Sequence, residues 1–316
     1  MVNFADADAI MNAAPNTVFR FGEAINDIPM KKFGAFLAVQ QQWGKRRLPG
    51  TIDEQIIQLT RIHDVLKTPA KNLLLGEFWF PDIEVAGARD RVNSADGFFF
   101  AAKGGHNAEH HNHNDVGSFV MYYNGKPCLI DLGRGKYNGK TFSRERYTIM
   151  NMQSQYHNLP TINSFDQNTG QQYRAQNTSF EFDAGHATFS TDIAETYSPD
   201  AGINRWIRSY YLQRSERFTI TDDFQFSKRP KGKTTLNFMT YCQVSRVSRR
   251  KIQLSGKNFE LLMQFDADAL KLRLEPIKIN DTRLKQFWLN RITRIKFQTR
   301  GNQKEGLIKI VISPQR

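Results

Sequence analysis

At 316 residues the chain can bury a full core, as one large β domain or two smaller units, and its 12% aromatic content with 24 Phe excludes a disordered or low-complexity protein. The formal net charge of +13 is spread over short clusters such as "KRR" and "SRRK", so the field suits a polyanion (nucleic acid, an anionic membrane surface or an acidic polysaccharide) or serves solubility alone. No segment approaches membrane-spanning length, no signal peptide is visible at the N-terminus, and Cys128 and Cys242 allow one disulfide but no Cys-x-x-Cys metal site.

The first elements read as helices. "DIPMKKFGAFLAVQQQW" sets Met30, Phe33, Phe36, Leu37 and Gln40 along one face, and "TIDEQIIQLTRIHDVLK" repeats the spacing with Ile52, Ile56, Leu59 and Ile62. Thr51 and Glu54 form a capping box for the second helix, which "GKRRLPG" joins to the first. Two such helices bury little by themselves and need a further surface to pack on. From about residue 71 the pattern changes to β-branched and aromatic runs broken by Gly, Asn and Asp, among them "GFFFAAK", "TSFEFDAGHATFSTDI" and "EGLIKIVISP". The "YYNGKP" stretch places an Asn-Gly turn between two apolar runs and predicts a hairpin. Many short antiparallel strands over the remaining chain predict a mainly β fold, a large antiparallel β-sandwich, with a domain boundary near residue 70.

One window stands apart. Four of the seven histidines lie in residues 106–113, and "HHNHND" runs straight into the predicted hairpin. In an extended segment His111, His113 and Asp115 share one face. Two imidazoles projected together serve a metal, serve proton transfer, or bond loop backbone. Asp131 ends an apolar run, where an acid is unexpected unless it binds something, and the hairpin returns it beside Gly117 and Ser118. With His157 from "QSQYHNLPTIN" it makes a set of two histidines and one carboxylate, His113, Asp131 and His157, with an open fourth position for zinc. The contiguous "HNH" letters do not match the nuclease motif of that name, whose residues are spread over a hairpin and a helix. No P-loop, GxSxG elbow or GxGxxG opening a helix is present.

"HHNHNDVGSFVMYYNGKPCLIDLGRGKY" followed by "FSRERYTIMNMQSQYHNLPTIN" resembles the heparinase II/III-like polysaccharide lyases. The elements HxHxDxxSF, an Asp at the end of the next strand, and S-x-x-HN span residues 111 to 158, and "FPDIEVAGARD" is similar to the strand that leads into that family's domain. The resemblance implies an α/α toroid followed by a β-sandwich, with the active site in the cleft between them. Residues 1–70 would then be the end of the toroid and residues 71–316 the sandwich. It implies β-elimination on a uronic-acid polysaccharide, such as heparan sulfate, another glycosaminoglycan or alginate, with removal of the C5 proton and loss of the C4 oxygen.

Carried onto this chain, the resemblance makes His111 the catalytic histidine of the sandwich side. His113, Asp131 and His157 become ligands of one divalent metal, zinc ahead of calcium, which shapes the site. Asp115 and Asn158 would hold those ligands, and Arg134, Lys136 and Arg146 would meet substrate carboxylate or sulfate unless they are ordinary surface cations. The partner expected is an acidic polysaccharide rather than nucleic acid, and the location periplasmic or secreted. The family's base, a toroid tyrosine, has no counterpart: upstream of residue 70 stand His63 and no tyrosine, and the first is Tyr122. The chain is therefore expected to be the C-terminal part of a lyase, weakly active or inactive alone. Two alternatives stand beside this reading: a non-catalytic carbohydrate-binding sandwich with a structural metal, and a metal-dependent hydrolase or nuclease.

Overall fold

The computed structural model describes residues 2–10, 13–45 and 51–315, without the side chains of Asp53 and Glu54. They fall into two units, one of residues 13–45 and 51–75, the other of residues 2–10 with 76–315.

In the first unit, Pro15–Ala24 opens with proline in its first turn, where the missing N–H costs nothing. The Asp27 carboxylate accepts from Met30 N at 2.9 Å and caps the next helix, Ile28–Gln40. A third helix covers Ile52–Lys67. A Cβ added at Gly34 would lie 2.6 Å from Phe19 N, so the first two helices cross in close contact. That crossing selects small residues, and the buried face of Ile28–Gln40 is Gly34, Ala35, Leu37 and Ala38. The expected stripe through Met30, Phe33 and Phe36 is only partly covered, and Gln40 is exposed. In the third helix Val65 is buried with Phe19, Ala35, Ala38 and Trp43, and Ile62 packs against them. Of the predicted apolar face, Ile62 packs against the other helices, while Ile52, Ile56 and Leu59 are 78%, 57% and 59% exposed and await the further surface that such a face needs. The Glu54 side chain of the expected capping box, and residues 46–50 of the connection, lie outside the described residues.

The second unit is an antiparallel β-sandwich. Among the described residues, one sheet has nine strands. Eight run in the order Glu77–Phe80, Val85–Arg89, Phe98–Lys103, Phe119–Tyr123, Lys126–Leu129, Thr235–Thr240, Arg291–Thr299 and Leu270–Lys278, with Pro160–Thr161 paired to Thr235–Thr240. The other sheet has eight, in the order Gln243–Ser248, Lys251–Gly256, Phe259–Phe265, Glu305–Pro314, Arg217–Phe226, Ile203–Gln213, His186–Asp192 and Gln176–Phe182. Strict alternation along Ile203–Gln213 turns Trp206, Arg208, Tyr210 and Leu212 inward. Phe100, Phe119, Phe218, Phe238 and Tyr210 meet between the sheets, each fully buried. Such a side chain contributes about 1.5–3 kcal/mol by leaving water. No helix of the described residues is long and apolar enough to cross a membrane.

The predicted hairpin is present. Asn124 and Gly125 both have positive φ (49° and 69°), as a type I′ turn demands, and Tyr123 pairs with Lys126. Its second strand ends at Leu129, two residues before Asp131, because pairing passes there to the neighbouring strand through Leu129 and Thr240. The division between units also differs from the one near residue 70. It falls between residues 75 and 76, and residues 2–10 side with the sandwich, held by Asn3 Nδ2 on the Asp131 carbonyl (2.9 Å) and Arg134 N on the Ala7 carbonyl (3.2 Å).

Candidate functional site

Three loops and the N-terminal segment build one site. Residues 108–118 are not extended, contrary to the reading that aligned His111, His113 and Asp115 on one face. His111 has φ +58°, which breaks the alternation in a turn. His111 is left 57% exposed at its side chain, whereas His113 and Asp115 are fully buried. The second loop follows Leu129: Ile130 N bonds the Met239 carbonyl at 2.9 Å, and the Asp131 carboxylate accepts from Gly133 N at 2.9 Å. The third begins at the one-turn helix Ser154–Tyr156, whose end places His157 N on the Ser154 carbonyl at 3.0 Å.

The structure brings His113, Asp131 and His157 together, all fully buried, with one potential ligand atom from each inside 4.8 Å of the others. His157 Nδ1 lies 2.7 Å from Asp131 Oδ2, and His113 Nε2 lies 2.9 Å from Asp6 Oδ1. The opposite ring nitrogens, His113 Nδ1 and His157 Nε2, are buried without a hydrogen-bond partner. A buried polar atom left so costs about 1–3 kcal/mol. One nitrogen from each imidazole and an Asp131 oxygen, all within 4.8 Å of one another, are a donor set that a divalent cation accepts. Burial would push the imidazolium pKa down at both rings. At His113 it prevails over Asp6 and the pKa is lowered, while at His157 the adjoining Asp131 carboxylate more than offsets it and the pKa is raised.

Asp6 is the hub that sequence reasoning missed. Besides His113, its carboxylate accepts from the Tyr137 hydroxyl (2.9 Å) and Arg146 Nη2 (3.3 Å), and lies 3.2 Å from His111 Nδ1. Burial alone would raise the Asp6 pKa, but His113, Tyr137 and Arg146 together hold it far below the usual carboxylate range. Tyr137 also lies 3.2 Å from His111 Nδ1, its ring stacked on the imidazole. Burial, then the Asp6 carboxylate, raises the Tyr137 pKa and keeps the hydroxyl protonated. The available signal was the alternate acids of "FADADA" and the single aromatic of the glycine-rich "GRGKYNG".

Asp115 touches none of the three clustered side chains by hydrogen bond. Its Oδ1 takes the Lys103 ammonium at 2.7 Å and its Oδ2 takes Ala5 N at 3.0 Å, so it acts on the site by fixing the residue before Asp6. Asn158 also works through backbone. Its amide donates to the Phe119 carbonyl (2.6 Å) and the Ile130 carbonyl (3.1 Å) and accepts from Met239 N (2.7 Å), tying the residue before Asp131 and the one after His157 to two strands. Arg208, buried with Asp222 at 3.2 Å, reaches from the other sheet to the Asn158 carbonyl at 2.8 Å. Of the three expected substrate cations, Arg146 is spent on the protein: it donates to the Asn112 and Thr141 carbonyls as well as Asp6. Arg134 bonds Asp8 at 3.0 Å and keeps a third of its side chain exposed, and the Lys136 side chain is exposed.

Residues 78–307, more than half of the chain, match the family described as "Heparinase II/III-like, C-terminal". No curated protein matches. Among solved structures, heparinase III shares 14% identity at a TM-score of 0.66, covering 99% of this chain and 44% of that one. The heparan sulfate lyase HepC of Pedobacter heparinus gives 13% and 0.65 over 98% and 43%, and a Paenibacillus xanthan lyase 11% and 0.55 over 96% and 31%. At these identities the likeness is one of fold, and the chain spans less than half the length of each of the three.

Proposed function

The chain belongs to the heparinase II/III-like family through its C-terminal domain, and from that premise we propose that it supplies the sandwich side of a polysaccharide lyase acting on an acidic, uronic-acid-containing glycan. A heparan-sulfate-type polymer is the first candidate, ahead of other glycosaminoglycans and alginate, and suits the net charge of +13. Such polymers are met outside the cytoplasm, so the periplasm or the cell exterior is the place of action.

The observation that carries the reading is the exposed pair His111 and Tyr137, 3.2 Å apart and both anchored on Asp6, beside the buried His113, Asp131 and His157. In β-elimination a base takes the C5 proton, that electron pair becomes the C4–C5 double bond, and the C4–O bond breaks with its oxygen taking up a proton. The charge that develops on the uronate carboxylate must be met by fixed donors. His111, whose Nδ1 faces Asp6 and Tyr137, offers its other ring nitrogen to solvent while the Tyr137 proton is given to Asp6, and an imidazole is suited to proton transfer near neutral pH. Asp6 restrains both and Arg146 restrains Asp6, which lowers the reorganisation needed at reaction. His113, Asp131 and His157 would hold one divalent metal, zinc ahead of calcium because two imidazoles favour it, and its charge would fix the loops that carry the pair.

The test is product analysis with heparan sulfate. Weak formation of unsaturated uronate, read by ultraviolet absorbance and product mass, is expected, and His111→Ala should lower it at least about hundredfold. Saturated products would mean hydrolysis and overturn the reading, as would an activity unchanged in His111→Ala.

A further inference from the structure

Cys128 and Cys242 are the only cysteines of the chain, and the fold brings them side by side. Cys128 lies in the strand Lys126–Leu129, and Cys242 stands two residues beyond Thr235–Thr240, where the chain leaves the ladder after the pair Leu129 and Thr240. The Thr240 hydroxyl joins the two, donating to the Cys128 carbonyl at 2.7 Å and accepting from Cys242 N at 3.0 Å. Cys242 Sγ lies 4.0 Å from the Cys128 carbonyl oxygen and 4.0 Å from that of Pro127. Both thiols are free and buried, within hydrogen-bonding reach of each other. Paired strands run about 4.8 Å apart, a separation that a disulfide spans without moving backbone.

The two thiols differ in access. Cys128 is fully enclosed in the core between the sheets, and burial, then its neighbour, pushes its thiol up. Cys242 lines a cleft of about 620 Å³, together with Tyr241, Leu289 and the cations Lys126, Lys257 and Arg291. All three cations are exposed, and among the described residues lining the cleft there is no acid. The hydrogen bond from Cys128 holds the Cys242 thiol below its ordinary value, against burial. A thiol so placed, reachable and near cations, is the more nucleophilic of a pair.

We propose that Cys242 and Cys128 are a thiol–disulfide exchange pair, open through this cleft to a small anionic disulfide of the glutathione class. The Cys242 thiolate attacks one sulfur of that disulfide, forming a mixed disulfide and releasing one glutathione thiolate. Cys128 then gives up its proton and attacks Cys242 Sγ, the bond from Cys242 to glutathione breaks, and the second glutathione thiolate leaves. The protein loses two electrons and two protons, and the small disulfide takes up both as two thiols. The resulting bridge ties the strand that runs on to Asp131 to the end of Thr235–Thr240.

The reduced protein would be incubated with oxidised glutathione, quenched with acid and read by intact mass and peptide mapping. The wild type should lose two hydrogens and keep no adduct. Cys128→Ala should stop with one glutathione on Cys242, and Cys242→Ala should react at least about tenfold more slowly than Cys128→Ala, because Cys128 is shut off from solvent. The oxidised wild type should melt about 5 °C or more above the reduced form, since the bridge joins residues 114 positions apart. In the Cys128→Ala protein, Lys257→Gln should slow adduct formation about three- to tenfold at low salt, and should leave the rate with uncharged hydroxyethyl disulfide unchanged. A wild type that keeps both thiols at a glutathione excess that modifies Cys128→Ala, or the urea-unfolded chain where that variant does not fold, would overturn the pair. Glutathione resting on both cysteines would do the same. Equal rates with and without Lys257→Gln would overturn the cleft as the route of an anionic disulfide.

Discussion

Asp6 Oδ1 lies 2.9 Å from His113 Nε2, across 107 residues of sequence, and the other ring nitrogen of His113 is buried without a partner. A carboxylate behind one imidazole nitrogen fixes the proton there and turns the opposite lone pair inward, the arrangement that raises the basicity of a metal-binding histidine. Asp6→Asn keeps the shape but removes the charge. The substitution should lower zinc affinity about ten- to hundredfold, read by competition with a chromogenic chelator. Undiminished affinity would show that Asp6 serves only the exposed pair above it.

Elemental analysis of the purified protein should find about one zinc per chain, and His113→Ala should carry none, because three protein ligands are the least such a site uses. Removing the metal with a chelator should also lower the melting temperature, since a ligand present at a thousandfold excess over its Kd stabilises the folded state by about 4 kcal/mol. A metal-free wild type would leave the three residues as a buried hydrogen-bonded cluster.

The parts of this site that were legible in the sequence are those fixed by local chemistry. The Asn-Gly turn needs two positive φ values and announces its hairpin, and a carboxylate ending an apolar run marks Asp131. Residue type and position single out His113, Asp131 and His157 as a candidate donor set, and the family resemblance adds a catalytic role for His111. Asp6 stayed hidden because nothing near it in sequence says what it touches: it is joined to the site by contacts spanning more than 100 residues. The roles expected of Asp115 and Arg146 shifted for a related reason. Charge pattern shows that an ion needs a partner but not which one, and Lys103 and the Asn112 carbonyl claimed them. Spacing puts Ile52, Ile56 and Leu59 on one apolar face in need of a further surface, these residues are exposed here, and periodicity alone does not tell what covers such a face.

Lys103 and Asp115 form a fully buried ion pair at 2.7 Å, with Glu109 on the rim. Burial alone would lower the Lys103 pKa and raise that of Asp115. Each offsets this for the other, so Lys103 is raised and Asp115 lowered. Lys103→Met leaves a buried carboxylate alone and should destabilise the protein by about 3–5 kcal/mol in urea denaturation. Replacing both, as Lys103→Met with Asp115→Leu, should cost much less. A single substitution as mild as the double one would contradict the pairing.

Acid should expose the same logic. Asp6 and Asp115 both have folded pKa values depressed below the ordinary 3.8. A depressed carboxylate adds stability that is complete above its unfolded pKa and disappears as pH falls toward the folded value. The metal-free protein should therefore lose stability progressively from about pH 4 downward, and Asp6→Asn should flatten part of that slope. Equal slopes in wild type and variant would mean that Asp6 is not held as an ion.

Gly133 decides whether residues 2–10 can reach the site at all. It has φ +68°, a left-handed conformation that side chains rarely adopt, and a Cβ there would lie 2.5 Å from the Ala7 carbonyl oxygen. Its N–H also holds the Asp131 carboxylate, and its carbonyl accepts from Asn151 at 2.9 Å. Gly133→Ala must therefore pay in backbone strain of about 1–3 kcal/mol or push residue 7 away. The second route is the softer, because the segment is held by side-chain bonds of Asn3, Asp6 and Asp8 and by Ala5 N, whereas the Asp131 turn is locked between two strands and His157. The expected result is a modest loss of melting temperature with faster proteolysis within residues 2–10, and weakened zinc binding because Asp6 leaves His113. Gly133→Ala with unchanged proteolysis and unchanged zinc affinity would show that the Asp6 contact to His113 survives without the close approach at residue 7.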